Sequence, residues 1–273
     1  MEARLTVPAL MLALGSAALH AAWNLLVARA RDVQAATAAT FVLSVVIAAP
    51  FAVIWWSAEP AVWPYALAST ILETVYVVAL AYAYRTGELS FVYPITRGIA
   101  PVLALGASVA LLGHGATISE VAGVVLVGAG VVLVRGPEGR ADARAMLAIV
   151  TIAASIAAYT LVDRVGIQHA GAFTYFVLVL AGPCLVYPPL VGTNAIRSQV
   201  GAATLCAAVA NVGSFVLGLL ALRRGAAAPV LAVRSSSIVI ATLLAGRFLA
   251  ERVSTVRLAG SAVVFAGVVL LAL

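Results

Sequence analysis

The sequence predicts an all-α, polytopic membrane protein with ten transmembrane helices arranged as two inverted five-helix repeats. Composition is the first observation. The chain of 273 residues is 64% hydrophobic and 10% charged, with a mean hydropathy of +1.14, more apolar surface than a soluble domain of this length could hide. The second is segmentation, since charges and turn residues divide the chain into ten apolar stretches, each near the roughly 20 residues a helix needs to cross about 30 Å of hydrocarbon. The third is an internal echo. Tyr93-Pro94-Ile95-Thr96-Arg97-Gly98-Ile99-Ala100-Pro101 places a lone arginine in an apolar run shortly after a proline, and Pro229-Val230-Leu231-Ala232-Val233-Arg234-Ser235 repeats the arrangement. Aligning Arg97 with Arg234 sets an offset of 137 residues, which puts Gly123 on Gly260, Gly130 on Gly267, and Val131-Val132-Leu133 on Val268-Val269-Leu270 without a gap.

The spans follow in order. Span 1 covers Val7 to Ala28, span 2 Ala35 to Trp56, span 3 Tyr65 to Tyr84, span 4 Phe91 to Leu112 and span 5 Ile118 to Val134. The apolar stretch after Arg4 runs on to about Val27, long enough to span, so it reads as a membrane helix and not a signal peptide. Arg135 to Arg144, with Gly136, Pro137 and Gly139, is the most polar connection and divides a first repeat, 1–136, from a second, 137–273. Span 6 covers Ala145 to Val162, span 7 Ala170 to Val191, span 8 Gly201 to Leu222, span 9 Ala228 to Phe248 and span 10 Ser254 to Leu273. A unit of five crossings followed by its copy places the copy upside down in the bilayer. Inverted pairs of this kind form transporters whose substrate site lies near the midplane, between halves that rock to open to each side in turn.

Charge narrows the function classes. All sixteen basic residues are arginines, and the net charge of +6 is spread over short connections instead of forming a nucleic-acid patch. The odd-numbered connections hold ten of them, while the N-terminus and even-numbered connections hold four (Arg4, Arg164, Arg223 and Arg224), which by the positive-inside rule puts both termini outside. A chain without lysine has no Walker-type Gly-x-x-x-x-Gly-Lys, so transport must draw on a gradient. Cys184 and Cys206 stand alone in apolar runs and read as packing residues. No metal-ligand spacing occurs and no cofactor is implied; the expected partners are a small-molecule substrate and the lipid bilayer, with the protein a monomer or homodimer.

Candidate binding residues are the polar and aromatic groups at membrane depth. In span 1, Ser16, His20, Trp23 and Asn24 project from one helical face; interhelical hydrogen bonding is the alternative for His20 and Asn24. Span 3 holds Glu73 with Tyr76 on its face. An uncompensated carboxylate at this depth costs on the order of 2.5 to 3.5 kcal/mol, so Glu73 must be paired, protonated or wet. Three roles fit it: counter-ion to a cationic substrate group, proton carrier, or ion-pair partner of Arg97 or Arg234. Tyr93, Pro94, Arg97 and Pro101 share a face, with Pro94 suited to start helix four and Pro101 to bend it. A bent helix leaves a carbonyl unsatisfied, so this face reads as looking into a wet cavity; the alternative is an Arg97 that snorkels to the headgroups, roughly 9 Å away along the helix.

In the second half, Arg234 precedes the polar run Ser235, Ser236 and Ser237. Thr151, Ser155 and Tyr159 recur every four residues of span 6, with Tyr159 opposite Trp23 in the repeat alignment, and Asn211 is the strongly polar residue central to span 8. Asp163 and Arg164 read as a solvated or ion-paired connection at the end of span 6. The substrate-binding set is therefore His20, Trp23, Asn24, Glu73, Tyr76, Tyr93, Arg97, Tyr159, Asn211, Arg234 and Ser237, with Glu73 the proton-coupling candidate.

These residues carry a resemblance. Leu249, Glu251 and Arg252 followed by Gly260 and Gly267 are similar to the Leu-x-Glu-Arg end of helix nine and the glycine-marked helix ten of the EamA branch of the drug/metabolite transporter superfamily. His20-Ala21-Ala22-Trp23-Asn24, and Tyr93-Pro94 with Arg97-Gly98 and Pro101, resemble motifs of one bacterial subgroup. His114 departs from the acidic end that the family has on helix four. The resemblance implies a ten-helix carrier of small metabolites in a bacterial inner (cytoplasmic) membrane, with a cavity walled by helices 1, 3, 4, 6, 8 and 9. It also implies that helices 5 and 10 pack peripherally, often at a dimer contact, and that both termini are cytoplasmic, opposite to the arginine distribution.

Three functions follow in decreasing order. The first is a secondary active transporter, by alternating access, of a small polar metabolite such as an amino acid or related carboxylate, in the direction of export. The second is an uptake carrier for a quaternary amine such as choline, held by Trp23, Tyr76 and Tyr159 with Glu73 as counter-charge. The remote third is an intramembrane enzyme, against which His20, His114 and His169 are scattered without an H-E-x-x-H pair.

Overall fold

The computed structural model describes residues 5–85, 89–112, 117–135, 143–240 and 254–272. Its helices are α1 (Val7–Ala28), α2 (Val33–Ile54), α3 (Val62–Arg85), α4 (Leu89–Leu112), α5 (Ile118–Arg135), α6 (Ala143–Gly166), α7 (Ala172–Val191), the short α8 (Thr193–Gln199), α9 (Ala202–Arg224), α10 (Ala227–Ser235) and α11 (Thr255–Ala272), with a 3₁₀ turn at Ile167–His169. By length and composition six helices are fit to cross a membrane, those at Val7–Ala28, Val33–Ile54, Val62–Tyr82, Met146–His169, Ala172–Val191 and Ala202–Arg224. Shorter apolar helices at Ile95–Ala110, Val121–Gly130, Ala227–Ile240 and Leu258–Gly267 overlap the other four predicted spans. The molecule is an all-α polytopic membrane protein.

Local chemistry sets the ends of these helices. The Thr6 hydroxyl accepts from the Ala9 N–H at 3.4 Å and the Asp32 carboxylate from the Ala35 N–H at 3.0 Å, each satisfying a donor that the first turn leaves free. After Pro188 and Pro189, α7 stops at Gly192, whose φ of 97° suits a residue without a Cβ.

Three boundaries depart from the sequence reading. Helix α4 begins at Leu89, ahead of Pro94, so this proline lies inside the helix and does not start it. Helix α6 runs on to Gly166, taking Asp163 and Arg164 out of the connection and into the helix, because buried partners for Asp163 replace the water it was expected to need. Helix α10 ends at Ser235, turns at Ser236 and resumes as far as Ile240. The remainder of predicted span 9, the 136–142 junction, His114, Glu251 and Arg252 lie outside the described residues.

The principal packing pairs have a pattern of their own. Helix α1 packs on α9 as α6 does on α3; α3 meets α7 as α9 meets α2; α4 meets α6 as α10 meets α1; and α4 lies on α5 as α10 lies on α11. The pairs α2–α7, α4–α10 and α5–α11 complete the set. Exchanging each helix of the first half for its counterpart in the second leaves every one of these contacts in place. The α5–α11 crossing repeats this at atomic scale: a Cβ on Gly130 would lie 2.6 Å from the Val264 backbone N and 2.8 Å from the Gly260 carbonyl oxygen, and one on Gly267 would lie 2.7 Å from both the Val127 N and the Gly123 carbonyl oxygen. Each glycine thus contacts the repeat partners of the residues that the other contacts.

Two more features join the halves. Ser16 on α1 donates to the Ser214 carbonyl at 2.6 Å, and Ser214 on α9 returns the bond to the Ser16 carbonyl at 2.9 Å. Membrane hydrogen bonds of this kind average about 0.6 kcal/mol. Ser16→Ala and Ser214→Ala are each expected to lower stability by about that amount, measured by detergent-titrated unfolding; a loss as large as that of a core cavity would refute the assignment. At one end of the molecule, the α2–α3 connection pairs with the turn before α7: the Gly171 N–H donates to the Ser57 carbonyl at 2.8 Å, the Glu59 N–H to the His169 carbonyl at 2.9 Å, and the Glu59 carboxylate meets His169 Nδ1 at 2.9 Å. Arg223 at the end of α9 donates to the carbonyls of Ile167 and Ala170 and holds that turn in place.

Candidate functional site

A cavity lies between the halves, where α4 crosses α10. The Ser235 hydroxyl, next to Arg234, is shared between the Arg97 carbonyl at 2.9 Å and the Leu231 carbonyl at 3.0 Å. This crossing brings α4 and α10 together, and Arg97 and Arg234 both line the cavity. Arg97 is buried, which removes the snorkelling alternative. Arg234 lies against α9 at Gly218, where a Cβ would sit 2.9 Å from the guanidinium carbon; glycine there makes room for the cation. Arg234 Nε is buried with no hydrogen-bond partner among the described residues.

Around the arginines stand His20 and Trp23 from α1, Phe41 from α2, Glu73, Tyr76 and Val77 from α3, Tyr159 from α6, Leu180 and Pro183 from α7, and Asn211, Ser214 and Phe215 from α9. The space open to water between them is about 40 Å³, enough for water and well below the usual size of a small-molecule site. The resemblance implied walls from helices 1, 3, 4, 6, 8 and 9, here α1, α3, α4, α6, α9 and α10. All six contribute, and α2 and α7 are added. Helices α5 and α11 stay outside.

His20, Arg97 and Asn211 are held by neighbouring side chains. Arg97 Nη2 meets His20 Nε2 at 2.6 Å, and Trp23 Nε1 meets His20 Nδ1 at 3.2 Å. Both partners are donors and a neutral imidazole has a single lone pair, so the ring accepts from one of them at a time. The shorter, charge-assisted contact with Arg97 is the stronger competitor. Asn211 donates through Nδ2 to the Ser44 hydroxyl of α2 at 3.1 Å. Tyr76 and Tyr159 pack edge to face with centroids 6.0 Å apart, so α3 and α6 together present an aromatic wall.

Glu73 is 5% exposed and lines the cavity, yet it forms no ion pair within 4.0 Å among the described residues. The ion pair with Arg97 or Arg234 considered from the sequence is absent. Its carboxylate shares the cavity with both cations without direct contact.

The structure brings His20, Trp23, Glu73, Tyr76, Arg97, Tyr159, Asn211 and Arg234 to one cavity. Others of the predicted set do not join them. Asn24 turns back along its own helix, donating to the His20 carbonyl at 2.7 Å, because a short amide one turn away finds that acceptor more easily than a distant ligand. Ser237 is buried, but it is not among the lining residues, and its hydroxyl has no partner among the described residues. The side chain of Tyr93 lies outside the described residues. Thr151, grouped with Ser155 and Tyr159 in the sequence, lines a lateral groove with Thr74, Tyr82 and Arg144 instead.

Sequence reasoning missed Phe41, Leu180 and Pro183, whose apolar side chains in apolar runs give no signal. It also misread Asp163. This carboxylate is 2% exposed and accepts at Oδ1 from the Ser69 hydroxyl at 2.6 Å and the Tyr175 hydroxyl at 2.9 Å. The signal available was Ser69, one helical turn before Glu73, and Tyr175 in the first turn of α7.

Comparison with known proteins agrees with this architecture. Residues 7–136, the stretch from α1 through α5, match the EamA-like transporter family. No curated protein matches the chain by sequence. One solved crystal structure is similar with a TM-score of 0.74 and 18% identity, over 96% of this chain and 95% of that one, a likeness of fold. Over residues 7–136 the chain is thus similar to the EamA-like transporter family, and over nearly its whole length it shares the fold of that solved structure.

Proposed function

We propose that the protein is a secondary active transporter of a small polar metabolite bearing a carboxylate, an amino acid or a close relative, and that it works by alternating access of two inverted repeats, 1–136 and 137–273. The observation that carries the reading is the pairing of Arg97 and Arg234 in one cavity with Glu73. Two guanidinium groups match carboxylate geometry, and Glu73 offers an acceptor for an ammonium group or a site for a proton. The exchange symmetry of the helix contacts supports the repeat division and the rocking motion. Export is the direction we assign.

A quaternary amine is the second reading, favoured by Trp23, Tyr76 and Tyr159 around Glu73. Two cations in the same cavity count against it, since a permanent cation would be repelled by both. A thermal-shift screen of amino acids, organic acids and quaternary amines, followed by counterflow in liposomes with the best hits, separates the readings. Carboxylates are expected to stabilise the protein. Stabilisation by quaternary amines alone, abolished in Glu73→Gln, would overturn the carboxylate reading.

Proton coupling has its own test. Glu73→Gln keeps the size and hydrogen-bonding capacity of the side chain but cannot exchange a proton. Uptake driven by a pH gradient is expected to be lost in this variant while counterflow of substrate continues. Should pH-driven uptake persist unchanged, Glu73 is not the proton site.

A further inference from the structure

Among the described residues one acidic side chain lines the cavity, and a second, Asp163, is tied to the same helix. On α3, Ser69 and Glu73 are one helical turn apart, about 6 Å along the axis. Glu73 lines the cavity and the Ser69 hydroxyl donates to Asp163 Oδ1 at 2.6 Å. Asp163 is buried among α3, α6 and α7, has no ion pair within 4.0 Å among the described residues, and lies within electrostatic reach of Glu73 and Arg234. The groups facing it are Glu73 and Ser69 from α3, Tyr175 from α7 and Arg234 from α10, with Tyr159 one turn away on its own helix.

A structural aspartate would be satisfied by two hydroxyls, and charge balance asks for more. Among the described residues this cluster holds two cations, Arg97 and Arg234, and two carboxyls, Glu73 and Asp163. It is neutral when all four are ionised. A substrate carboxylate adds a negative charge at membrane depth, where an uncompensated charge is costly, unless a carboxyl of the cluster takes up a proton as the substrate enters. With two carboxyls the cluster can neutralise two such charges.

Resting on the carboxylate reading above, we infer that Asp163 is a second proton-binding carboxyl of the carrier, sharing with Glu73 the protons that balance the charge of the substrate. The step is a simple protonation: carboxylate plus H⁺ gives the carboxylic acid on one side of the membrane, and the reverse occurs on the other. Ser69, bonded to Asp163 and one turn from Glu73, bridges the two positions.

Infrared difference spectroscopy of the full-length protein in phosphatidylcholine bilayers tests this with the proton itself as the ligand. As pH falls, wild type is expected to gain carboxylic C=O absorbance that Glu73→Gln and Asp163→Asn each reduce, by about half of the part that the double variant removes. If Asp163→Asn leaves the absorbance of wild type unchanged while Glu73→Gln reduces it, Asp163 is a structural acceptor and the inference fails alone. If neither variant changes it, the proton role of Glu73 fails as well. Should Asp163→Asn not fold, Ser69→Ala keeps the carboxyl and deletes one donor; a frequency shift of the Asp163 component is then expected, and its absence overturns the assignment.

Discussion

Arg97→Ala is expected to lower apparent affinity for carboxylate substrates by at least about 30-fold, the lower end of the roughly 2–5 kcal/mol seen when one partner of a buried, hydrogen-bonded charge pair is removed. Two losses combine. The substrate carboxylate loses a guanidinium that is itself buried, and His20 Nε2 loses the donor at 2.6 Å that fixes the ring. Arg97→Lys should recover only part of the affinity, because a point charge on a flexible stem replaces a planar group with paired donors. Saturable uptake in proteoliposomes, read beside the melting temperature of each variant, checks the prediction. A folded Arg97→Ala protein with wild-type affinity for carboxylates would refute the proposed role.

The second large effect falls far from the cavity. Gly130→Leu and Gly267→Leu are each expected to destabilise the protein by about 1–3 kcal/mol or more, the usual cost of overpacking a tight contact. The obstruction at both sites includes backbone atoms, the Val264 N and Gly260 carbonyl oxygen for one, the Val127 N and Gly123 carbonyl oxygen for the other. A flexible side chain could give way, whereas a helix backbone moves only by separating α5 from α11. Gly128→Ala is the control, since nothing lies within 4 Å of the position its Cβ would take. Thermal unfolding in detergent should show similar losses for the two leucine variants and little change for the control. If Gly267→Leu melts like Gly128→Ala, the glycine crossing is not holding these helices together.

These two results concern features that differ in how visible they were beforehand. Gly130 and Gly267 stood out from their seven-residue spacing to Gly123 and Gly260, repeated at a fixed offset. Arg97 and Arg234 stood out because charges are rare in apolar runs. Glu73, Tyr76, Tyr159 and Asn211 were found by the same contrast, polar or amphipathic groups at membrane depth, and His20 and Trp23 by their shared helical face. Such reasoning fails where contrast is lacking. Phe41, Leu180 and Pro183 line the cavity as ordinary members of apolar helices, and Asp163 looked like a solvated connection because it follows the last apolar run of its span.

The sequence by itself determined that this chain is an all-α membrane protein and roughly where its long helices lie. Those properties depend on local composition and on periodicity, which a linear chain displays in full. Tertiary structure decided which faces converge. It turned Asn24 back onto its own helix, left Glu73 without a salt bridge among the described residues, and buried Asp163 beneath Ser69 and Tyr175. The physical reason is that a buried polar group is defined by its neighbours. Whether a carboxyl serves as a connection, an ion-pair partner or a proton site depends on hydroxyls and guanidinium groups brought in from other helices, and only packing places them.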